Sequence, residues 1–526
     1  MDFGWEFPYP SQRMPVLARN AVAASQPLAA QAGIEMLRKG GNAVDAALAA
    51  AITLTVVEPT SNGIGADAFA IVWDGRALYG LNASGRSPKA LSPERFAGTT
   101  AIPENGWDPV TVPGAVSAWM AMSVRFGKLL FHELFEPAVR YARNGFLVSP
   151  ITARAWARAI PRFKGMPDFC EAFLPEGRAP VPGEHFRCPE QGITLEAIAE
   201  SDGKDFYLGH LAKEIALHAK KTGGLLTADD LANHQPNWVT PLSLDYRGYT
   251  LHEIPQNGQG VAALAALGIL DRTSFREAAV DSADSLHVQI EAMKLALADA
   301  HRYVADPAAM EIGPEALLDP GYLAERAKLI DPARAKSADY GRPGEGGTVY
   351  LAAADSRGMM VSMIQSNYKG FGSGIVIPGT GISMQNRGLA FTLEPGHPNR
   401  VAGGKRPYHT IIPGFVTKDG KPVMSFGVMG GPMQTQGHVQ LLVRIADYGQ
   451  NPQAASDAPR WRAVEGLTVA LEEGTPPGVA DELKRRGHDV VIKDSTFFGG
   501  AQVICRIEEG YCAASDHRKD GQAIGF

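Results

Sequence analysis

Residues 341–364 read GRPGEGGTVYLAAADSRGMMVSMI and contain the junction that decides the fold. The first part closes a segment, residues 331–347, that is charged, small and rich in glycine, which is typical of an exposed linker. Residues 348–354 are then apolar, residues 355–358 carry a turn signal, and residues 359–364 are apolar again. This pattern predicts a buried β-hairpin whose first residue is Thr348.

Thr348 is the candidate catalytic residue of this hairpin. A threonine behind flexible glycines can bring its hydroxyl onto the carbonyl of Gly347, because glycine has no Cβ to block the approach. An N-to-O acyl shift and ester hydrolysis would free the α-amine of Thr348, whose reference pKa of about 7.7–8.0 suits a base. The residues alone leave two interpretations open, a self-cleaving precursor or a β-branched residue that simply begins a strand.

The first part of the chain reads mainly as helix. Ser25 predicts the N-cap of a first helix, and Asn42 with Asp45 predicts the box-like start of a second, fully buried one. Residues 112–300 are dominated by helical patterns, of which residues 285–304 are the clearest.

Strand patterns occur at both ends of the chain. Besides the hairpin that begins at Thr348, alternating or apolar runs predict hairpins at residues 68–81 and 411–428, and strands at residues 489–492 and 502–507. Because strands far apart in sequence must share sheets, we expect the two ends to form one layered α+β domain.

Composition favours small-molecule chemistry. The 526 residues are 45% hydrophobic and 20% charged with a formal net charge of −6, so neither nucleic acid nor a membrane surface is an expected partner. The polar, proline-rich start and the shortness of the apolar stretches predict a cytoplasmic protein. The four cysteines, which fit a reducing compartment, form no C-x-x-C pair and are Cys170, Cys188, Cys505 and Cys512.

Signatures of other enzyme classes are missing from the sequence. There is no G-x-S-x-G, no phosphate-binding P-loop and no H-E-x-x-H pair. Residues 63–68 mimic part of a dinucleotide fingerprint, but they follow a helix and precede a strand, which is the reverse of its required context. We therefore expect neither a cofactor nor a metal.

A series of motifs in a fixed order resembles the gamma-glutamyltransferase (glutathione hydrolase) family, especially its bacterial cytoplasmic glutathione hydrolase-like branch, which is related to cephalosporin acylases and oxamate amidohydrolases. They cover nearly the whole chain from about residue 20, so the resemblance is far more specific than any one motif. The motifs are SQPLAAQAGIEMLRKGGNAVDAA (25–47), GIGADAF (63–69), GRSP (85–88), GGTVYLAAAD (346–355), FGSGIVIPGTGISMQNR (371–387), GGKRPYHTIIP (403–413), VMGG (428–431), DAPRW (457–461) and DGQAIGF (520–526).

The resemblance implies an N-terminal-nucleophile hydrolase with an αββα sandwich, acyl-enzyme chemistry and no cofactor. Thr348 matches the family's nucleophile, and Ser366 falls where the family has a second threonine that hydrogen-bonds it. Gly430 and Gly431 match the glycine pair whose backbone N–H groups form the oxyanion hole. Arg86 matches the arginine that binds the substrate α-carboxylate.

Departures from the family pattern concern the substrate pocket. Tyr368 stands in place of an asparagine, Arg387 in place of a glutamine, and His409 and Thr410 in place of paired serines. Ala390 replaces the aspartate that holds the substrate ammonium, so the resemblance implies a pocket for a carboxylate rather than for a zwitterionic glutamyl group. His409 and Tyr368 could each contact substrate or fill core, whereas a buried Arg387 needs an anionic partner.

The expected products of cleavage are a large subunit, residues 1–347, and a small subunit, residues 348–526, which remain associated and can pair further into a homodimer. The expected activity is hydrolysis of a small amide, γ-glutamyl-like or carrying a carboxylate on its acyl group. Two alternatives stay open: an authentic γ-glutamyl transferase or glutathione hydrolase, and a ligand-binding scaffold or dormant precursor without turnover.

Overall fold

The computed structural model describes residues 12–255, 257–338 and 347–526. Residues 339–346 of the linker expected before the junction lie outside this part, and residues 331–338 lie within it. Among the described residues, no helix combines the length and apolar character needed to cross a bilayer.

Strands make up two large sheets and three small ones. Their bounds are β1 (Val16–Ala18), β2 (Ala21–Ala24), β3 (Asp67–Trp73), β4 (Leu78–Asn82), β5 (Phe146–Leu147), β6 (His185–Phe186), β7 (Asn237–Val239), β8 (Leu242–Tyr246), β9 (Tyr249–Glu253), β10 (Gly347–Ala354), β11 (Met360–Tyr368), β12 (Val376–Ile377), β13 (Ile382–Ser383), β14 (Gly414–Lys418), β15 (Lys421–Val428), β16 (Trp461–Glu465), β17 (Thr468–Glu472), β18 (Asp489–Lys493), β19 (Ala501–Ile507), β20 (Gly510–Ser515) and β21 (Gln522–Gly525).

Helices cover the outer faces of the large sheets. Their bounds are α1 (Pro27–Arg38), α2 (Ala43–Val57), α3 (Ala115–Phe126), α4 (Glu136–Asn144), α5 (Pro150–Phe163), α6 (Pro167–Phe173), α7 (Pro189–Glu200), α8 (Lys204–Leu208), α9 (His210–Lys221), α10 (Ala228–Ala232), α11 (Gly260–Leu270), α12 (Ala283–Tyr303), α13 (Pro320–Ala327), α14 (Met433–Ala446), α15 (Pro452–Asp457) and α16 (Val479–Arg485).

The two large sheets each combine strands from both sides of the junction. The sheet that contains β10, here named the junction sheet, has the order β21-β2-β10-β11-β3-β4-β7. The second sheet has the order β1-β20-β19-β15-β14-β9-β8. The prediction that the two ends of the chain share sheets is therefore confirmed.

Side-chain alternation along β10 explains how the layers stack. Tyr350 and Ala352 belong to an apolar cluster between the two sheets, together with Phe415 of β14. Leu351 and Ala353 point the other way and join the core of α1 and α2. Because successive strand residues face opposite sides, one strand serves both layers. A third core under α11, α12 and α14 covers the second sheet, so the α+β sandwich with two sheets between helical layers is confirmed.

The helix starts follow the sequence signals with one exception. Asn42 caps α2, and its box with Asp45 is complete. The first helix is capped by Gln26 rather than by Ser25, since the Gln26 side chain accepts hydrogen bonds from two backbone N–H groups. Ser25 instead donates to Glu58 at 2.5 Å. The N-cap prediction for Ser25 was wrong because a buried carboxylate far along the chain takes its hydroxyl.

The sequence predicted some of the hairpins and missed one. Strand pairs β3–β4 and β10–β11 confirm the hairpins expected near residues 68–81 and after Thr348. The pair β8–β9 lies inside the region that reads as helical, and its turn places Arg247 and Gly248 at positive φ, 54° and 79°. Positive φ at both turn positions is typical of a tight two-residue hairpin turn.

Candidate active site

Thr348 lies near the start of β10, in the same strand as Gly347, so its contacts are those of the continuous chain. Its side chain is buried. Its Oγ1 lies 3.3 Å from Ser366 Oγ on the adjacent β11. Gln434 Nε2, from the first turn of α14, donates to the same oxygen at 3.3 Å. The structure thus brings Thr348 and Ser366 together, and it adds a glutamine that the sequence analysis missed.

The strand opposite the junction is irregular. Gly347 pairs with Tyr368 and Val349 with Gln365, so the register shifts by one residue beside Thr348. Ser366 Oγ, which faces Thr348 Oγ1, also accepts a hydrogen bond from Tyr368 N at 2.8 Å. Tyr368 has a φ of 75°. A bulky residue at positive φ is strained, and such strain is frequent at functional sites.

Gly430 and Gly431 form the loop between β15 and α14. Their φ values are 113° and 59°, in the left-handed region that glycine enters without a Cβ penalty. The carbonyl of Gly431 accepts from Gln259 Nε2 at 3.0 Å, and Gln259 Nε2 also donates to Thr410 O at 2.6 Å. Gln259 therefore holds this glycine loop against the Thr410 segment.

Arg387 is completely buried, although arginine is seldom found in such a place without an anion. Its Nη1 donates to Thr410 Oγ1 at 2.8 Å, and its guanidinium lies 4.4 Å from the centre of the Tyr368 ring. Within the described residues, Nε and Nη2 have no hydrogen-bond partner. Burial lowers the pKa of Arg387 to about 10, against the attraction of Asp67. Two buried nitrogens of the guanidinium thus have no hydrogen-bond acceptor among the described residues.

Asp67 and His409 form a buried pair beside Arg387. His409 Nε2 lies 3.1 Å from Asp67 Oδ2, and the His409 ring packs 4.7 Å from that of Phe69. Burial raises the pKa of Asp67 to about 7, which Arg387 and Arg406 only partly offset. Burial, reinforced by the same two arginines, lowers the pKa of His409 well below its ordinary value. His409 is therefore neutral at physiological pH.

Asp67 also connects this pair to Ser366, the neighbour of Thr348. It lies directly opposite Ser366 in the pairing of β3 with β11. Its Oδ1 accepts from Gly85 N at 3.1 Å. Asp67 belongs to the GIGADAF motif but was not predicted to be a site residue, although a carboxylate at the head of an apolar strand was the available signal.

A cavity of about 680 Å³ borders these residues. Arg387, His409 and Thr348 do not line it, but Tyr368 and Thr410, which both contact Arg387, do. Its wall includes Gln259, Tyr368, Ala390, Glu394, Thr410 and Pro432.

Arg86 lines a different cavity, of about 880 Å³. Its Nη1 donates to Asp306 Oδ2 at 2.7 Å and to Gly404 O at 3.0 Å, and its side chain is 48% exposed. Arg406 lines the same cavity, and its charge also acts on the Asp67 carboxylate. The structure therefore places Arg86 next to the site cluster but outside the cavity of Tyr368 and Thr410.

Among the described residues, one group has the spacing of metal ligands: the ligand atoms of His287, Glu291 and His488 lie within 4.8 Å of one another. His287 Nδ1 and His488 Nε2 are hydrogen-bonded at 2.8 Å, and Lys294 Nζ lies 2.5 Å from Glu291 Oε1. The only carboxylate of the group is thus already neutralised by an ammonium. Its contacts instead join α12 to the strand that begins at Asp489.

Comparison with known proteins matches this geometry to one family. A family model described as Gamma-glutamyltranspeptidase covers residues 29–526. The chain belongs to the gamma-glutamyltranspeptidase family. As a member of that family it is an amidohydrolase of the N-terminal-nucleophile type, which confirms the resemblance found in the sequence.

Within the gamma-glutamyltranspeptidase family the chain is similar to proteins whose names state different activities. It is 38% identical to the glutathione hydrolase-like YwrD proenzyme of Bacillus subtilis, over 95% of this chain and 97% of the relative. It is 36% identical to the oxamate amidohydrolase proenzyme of Klebsiella pneumoniae, over the same shares. The crystal structure of cephalosporin acylase from Bacillus halodurans superposes with a TM-score of 0.96 at 48% identity, covering 100% of this chain and 99% of that one.

Proposed function

We propose that the chain cleaves itself between Gly347 and Thr348 and that Thr348 then acts as the nucleophile of an amidohydrolase. The support is the position of Thr348 Oγ1, which is buried at the start of β10 and held between Ser366 and Gln434. Residues 1–347 and 348–526 would stay together after cleavage, because both large sheets combine strands from the two pieces.

In the proposed self-cleavage, Thr348 Oγ1 attacks the carbonyl carbon of Gly347. The C–N bond breaks, the nitrogen takes the hydroxyl proton, and water hydrolyses the resulting ester to leave a carboxylate on Gly347. In turnover, the freed amine takes the Thr348 hydroxyl proton while Oγ1 attacks the substrate carbonyl. The proton passes to the leaving amine, and water releases the acyl group as an acid.

The oxyanion of each tetrahedral intermediate needs donors that are fixed in advance. The proposed donors are the N–H groups of Gly430 and Gly431, whose positive φ values turn the backbone sharply between β15 and α14. Losing one such donor typically costs about 10²–10³ in rate.

The proposed substrate carries a carboxylate on its acyl side. Two guanidiniums, those of Arg387 and Arg406, act on the single carboxylate of Asp67, and His409 is neutral. The cluster therefore carries an excess positive charge, and Arg387 Nε and Nη2 are unpaired within the described residues. A substrate carboxylate entering past Tyr368 and Thr410 would supply the missing acceptor.

The activity named for one relative fits a substrate that carries a carboxylate on its acyl side. Oxamate, named for the Klebsiella pneumoniae protein, is a small amide with a carboxylate beside the amide carbonyl. Arg86, half-exposed and paired with Asp306, is proposed as a second carboxylate contact for longer acyl groups that extend toward its cavity.

Authentic γ-glutamyl hydrolysis or transfer is the second candidate, and one observation favours it. Ala390 offers no carboxylate to a substrate ammonium, but Glu394 and Glu104 line the same cavity. Glu104 is already paired with Arg162 at 3.0 Å, so Glu394 is the better partner for an ammonium.

The decisive experiment pairs mass spectrometry with a substrate panel. Wild type should separate under denaturing conditions into residues 1–347 and 348–526, whereas Thr348→Ala should stay intact and inactive. Among matched anilides, glutaryl should be preferred to γ-glutamyl, and oxamate should also be cleaved. A strict requirement for the α-amine would favour the second candidate, and a wild type that stays in one piece without activity would favour a scaffold or dormant precursor.

A further inference from the structure

Helix α14 carries three buried glutamines, and two of them have an evident structural role. Gln440 donates to Trp461 O at 2.9 Å and accepts from Trp461 N at 3.2 Å. Gln436 donates to Ala463 O at 3.1 Å and accepts from Ala463 N at 2.8 Å. Both side chains use each end of the amide to pair with the backbone of β16, as another strand would.

Gln434 uses only one end of its amide in this way. Its Oε1 accepts from Ile412 N at 2.9 Å. A backbone N–H can only donate, so this contact fixes which end of the amide is oxygen. The Nε2 end must then face Thr348 Oγ1, to which it donates at 3.3 Å. The side chain is completely buried, so water cannot replace this donor.

The position of Gln434 ties it to the glycine loop as well. It lies in the first turn of α14, and its backbone N–H donates to Gly431 O at 3.1 Å. One residue therefore contacts both the nucleophile oxygen and the loop that carries the proposed oxyanion donors. A shift of the loop would move the Gln434 amide and would change its distance to Thr348.

We propose that Gln434 is a catalytic residue that donates a hydrogen bond to Thr348 Oγ1 and stabilises the negative charge that builds there. The proposal rests on the proposed role of Thr348 as nucleophile. When the amine accepts the hydroxyl proton, charge develops on Oγ1 before the new C–O bond is complete. A donor already in place lowers the energy of that state without reorganising. The same contact acts on Oγ1 during self-cleavage.

Two substitutions separate the donor from the shape of the side chain. Gln434→Glu keeps an oxygen for Ile412 N but, when ionised, presents an acceptor to Thr348 Oγ1 in place of the donor. Gln434→Met keeps the length and removes both polar ends. We expect kcat to fall about 10²-fold in each, at the lower limit known for loss of one charge-stabilising donor. KM should change little, because Gln434 does not line the cavity.

The pH profile distinguishes an electrostatic role from a packing role. The carboxylate of Gln434→Glu favours the protonated α-amine of Thr348, so the acidic limb of kcat/KM should move to higher pH. Gln434→Met should lower kcat without that shift. In both variants we expect slower appearance of the two fragments in a time course of denaturing mass spectrometry.

Gln440→Glu is the matched control, since it makes the same change on the same helix where both amide ends contact backbone. It should lower the thermal midpoint but leave kcat per folded molecule and the pH profile unchanged. If both Gln434 variants fold and keep wild-type kcat and cleavage rate, the proposed donor role is wrong while Thr348 can still be the nucleophile. If Thr348→Ala remains active, the proposed function itself is wrong, whatever the Gln434 variants do.

Discussion

Two buried clusters in this molecule each contain two arginines and an aspartate, and they differ in whether the arginines contact a carboxylate directly. The closed cluster consists of Arg460, Asp516, Arg518 and Glu472. Arg518 donates from Nε to Glu472 at 2.7 Å, from Nη1 to Asp516 at 3.1 Å, and from Nη2 to Glu472 at 2.6 Å. Arg460 Nη2 donates to the other oxygen of Asp516 at 2.6 Å. Each guanidinium thus has a carboxylate in direct contact.

The open cluster consists of Arg387, Arg406, Asp67 and His409. Within the described residues, Asp67 contacts His409 rather than either arginine, and the Arg387 guanidinium has a single hydrogen bond, to Thr410. Arg406 donates from Nε to Ser84 O at 2.9 Å. This cluster is as deeply buried as the first, but its cations and its anion are not directly paired.

The pKa values of the two aspartates shift in opposite directions, that of Asp516 downward and that of Asp67 upward. Burial alone would raise the pKa of Asp516, but Arg460 and Arg518 hold it below its ordinary value. Burial raises the pKa of Asp67 to about 7 because Arg387 and Arg406 compensate only in part. A closed cluster stabilises the fold, whereas an open one leaves charge and donors for a ligand. The second cluster is the one beside Thr348.

Opening the closed cluster should have the largest effect. Asp516→Asn leaves two buried guanidiniums with Glu472 as their only carboxylate partner in the cluster. Removing one partner of a buried ion pair typically costs about 3–5 kcal/mol. We expect a large drop in the urea and thermal denaturation midpoints at pH 7, with kcat per folded molecule unchanged. If the midpoints stay at the wild-type values, the hydrogen bonds of the closed cluster contribute no net stability.

Arg387→Met tests the open cluster and should have the next largest effect. A buried arginine with two unpaired donors contributes little stability, so the denaturation midpoint should stay the same or rise. The kcat/KM for carboxylate-bearing amides should fall about 10²-fold, on the order of one lost charge-assisted hydrogen-bond pair. The internal control is an amide of similar size without the carboxylate, for which the loss should be much smaller. Equal losses for both substrates would mean that Arg387 does not bind the carboxylate.

Local signals in the sequence were sufficient for the framework of the site. Alternation after Thr348 predicted the hairpin of β10 and β11, and Asn42 with Asp45 predicted the cap of a helix that packs on β10. These features depend on neighbours within a few residues. The family resemblance then predicted that Thr348 and Ser366 meet, which the 3.3 Å contact agrees with.

Long-range partners could not be predicted in the same way. Asp67 and His409 are 342 residues apart, and nothing near either residue indicates the other. Gln434 is one of several glutamines on its helix, and only its contact with Thr348 Oγ1 separates it from Gln440. The hydroxyl of Ser25 was assigned to a local cap because the buried Glu58 that takes it was not visible from the adjacent sequence.

The last expected effect is a change of stability with pH that has opposite signs in the two clusters. The Asp67 pKa is about 7 in the folded chain and about 3.9 in an unfolded one, so the folded state keeps a proton that the unfolded state has lost between these values. Stability should therefore fall as pH rises from about 4 to about 7, with a slope of at most about 1.4 kcal/mol per pH unit. Asp516, whose pKa is lowered, contributes stability above its unfolded pKa and loses it as the pH falls.

Asp67→Asn removes the first dependence only, so its thermal midpoint should gain on wild type steadily between pH 5 and pH 7. A constant difference over that range would mean that Asp67 is already ionised at pH 5, and that Arg387 and Arg406 pair with it as fully as the arginines of the closed cluster pair with Asp516.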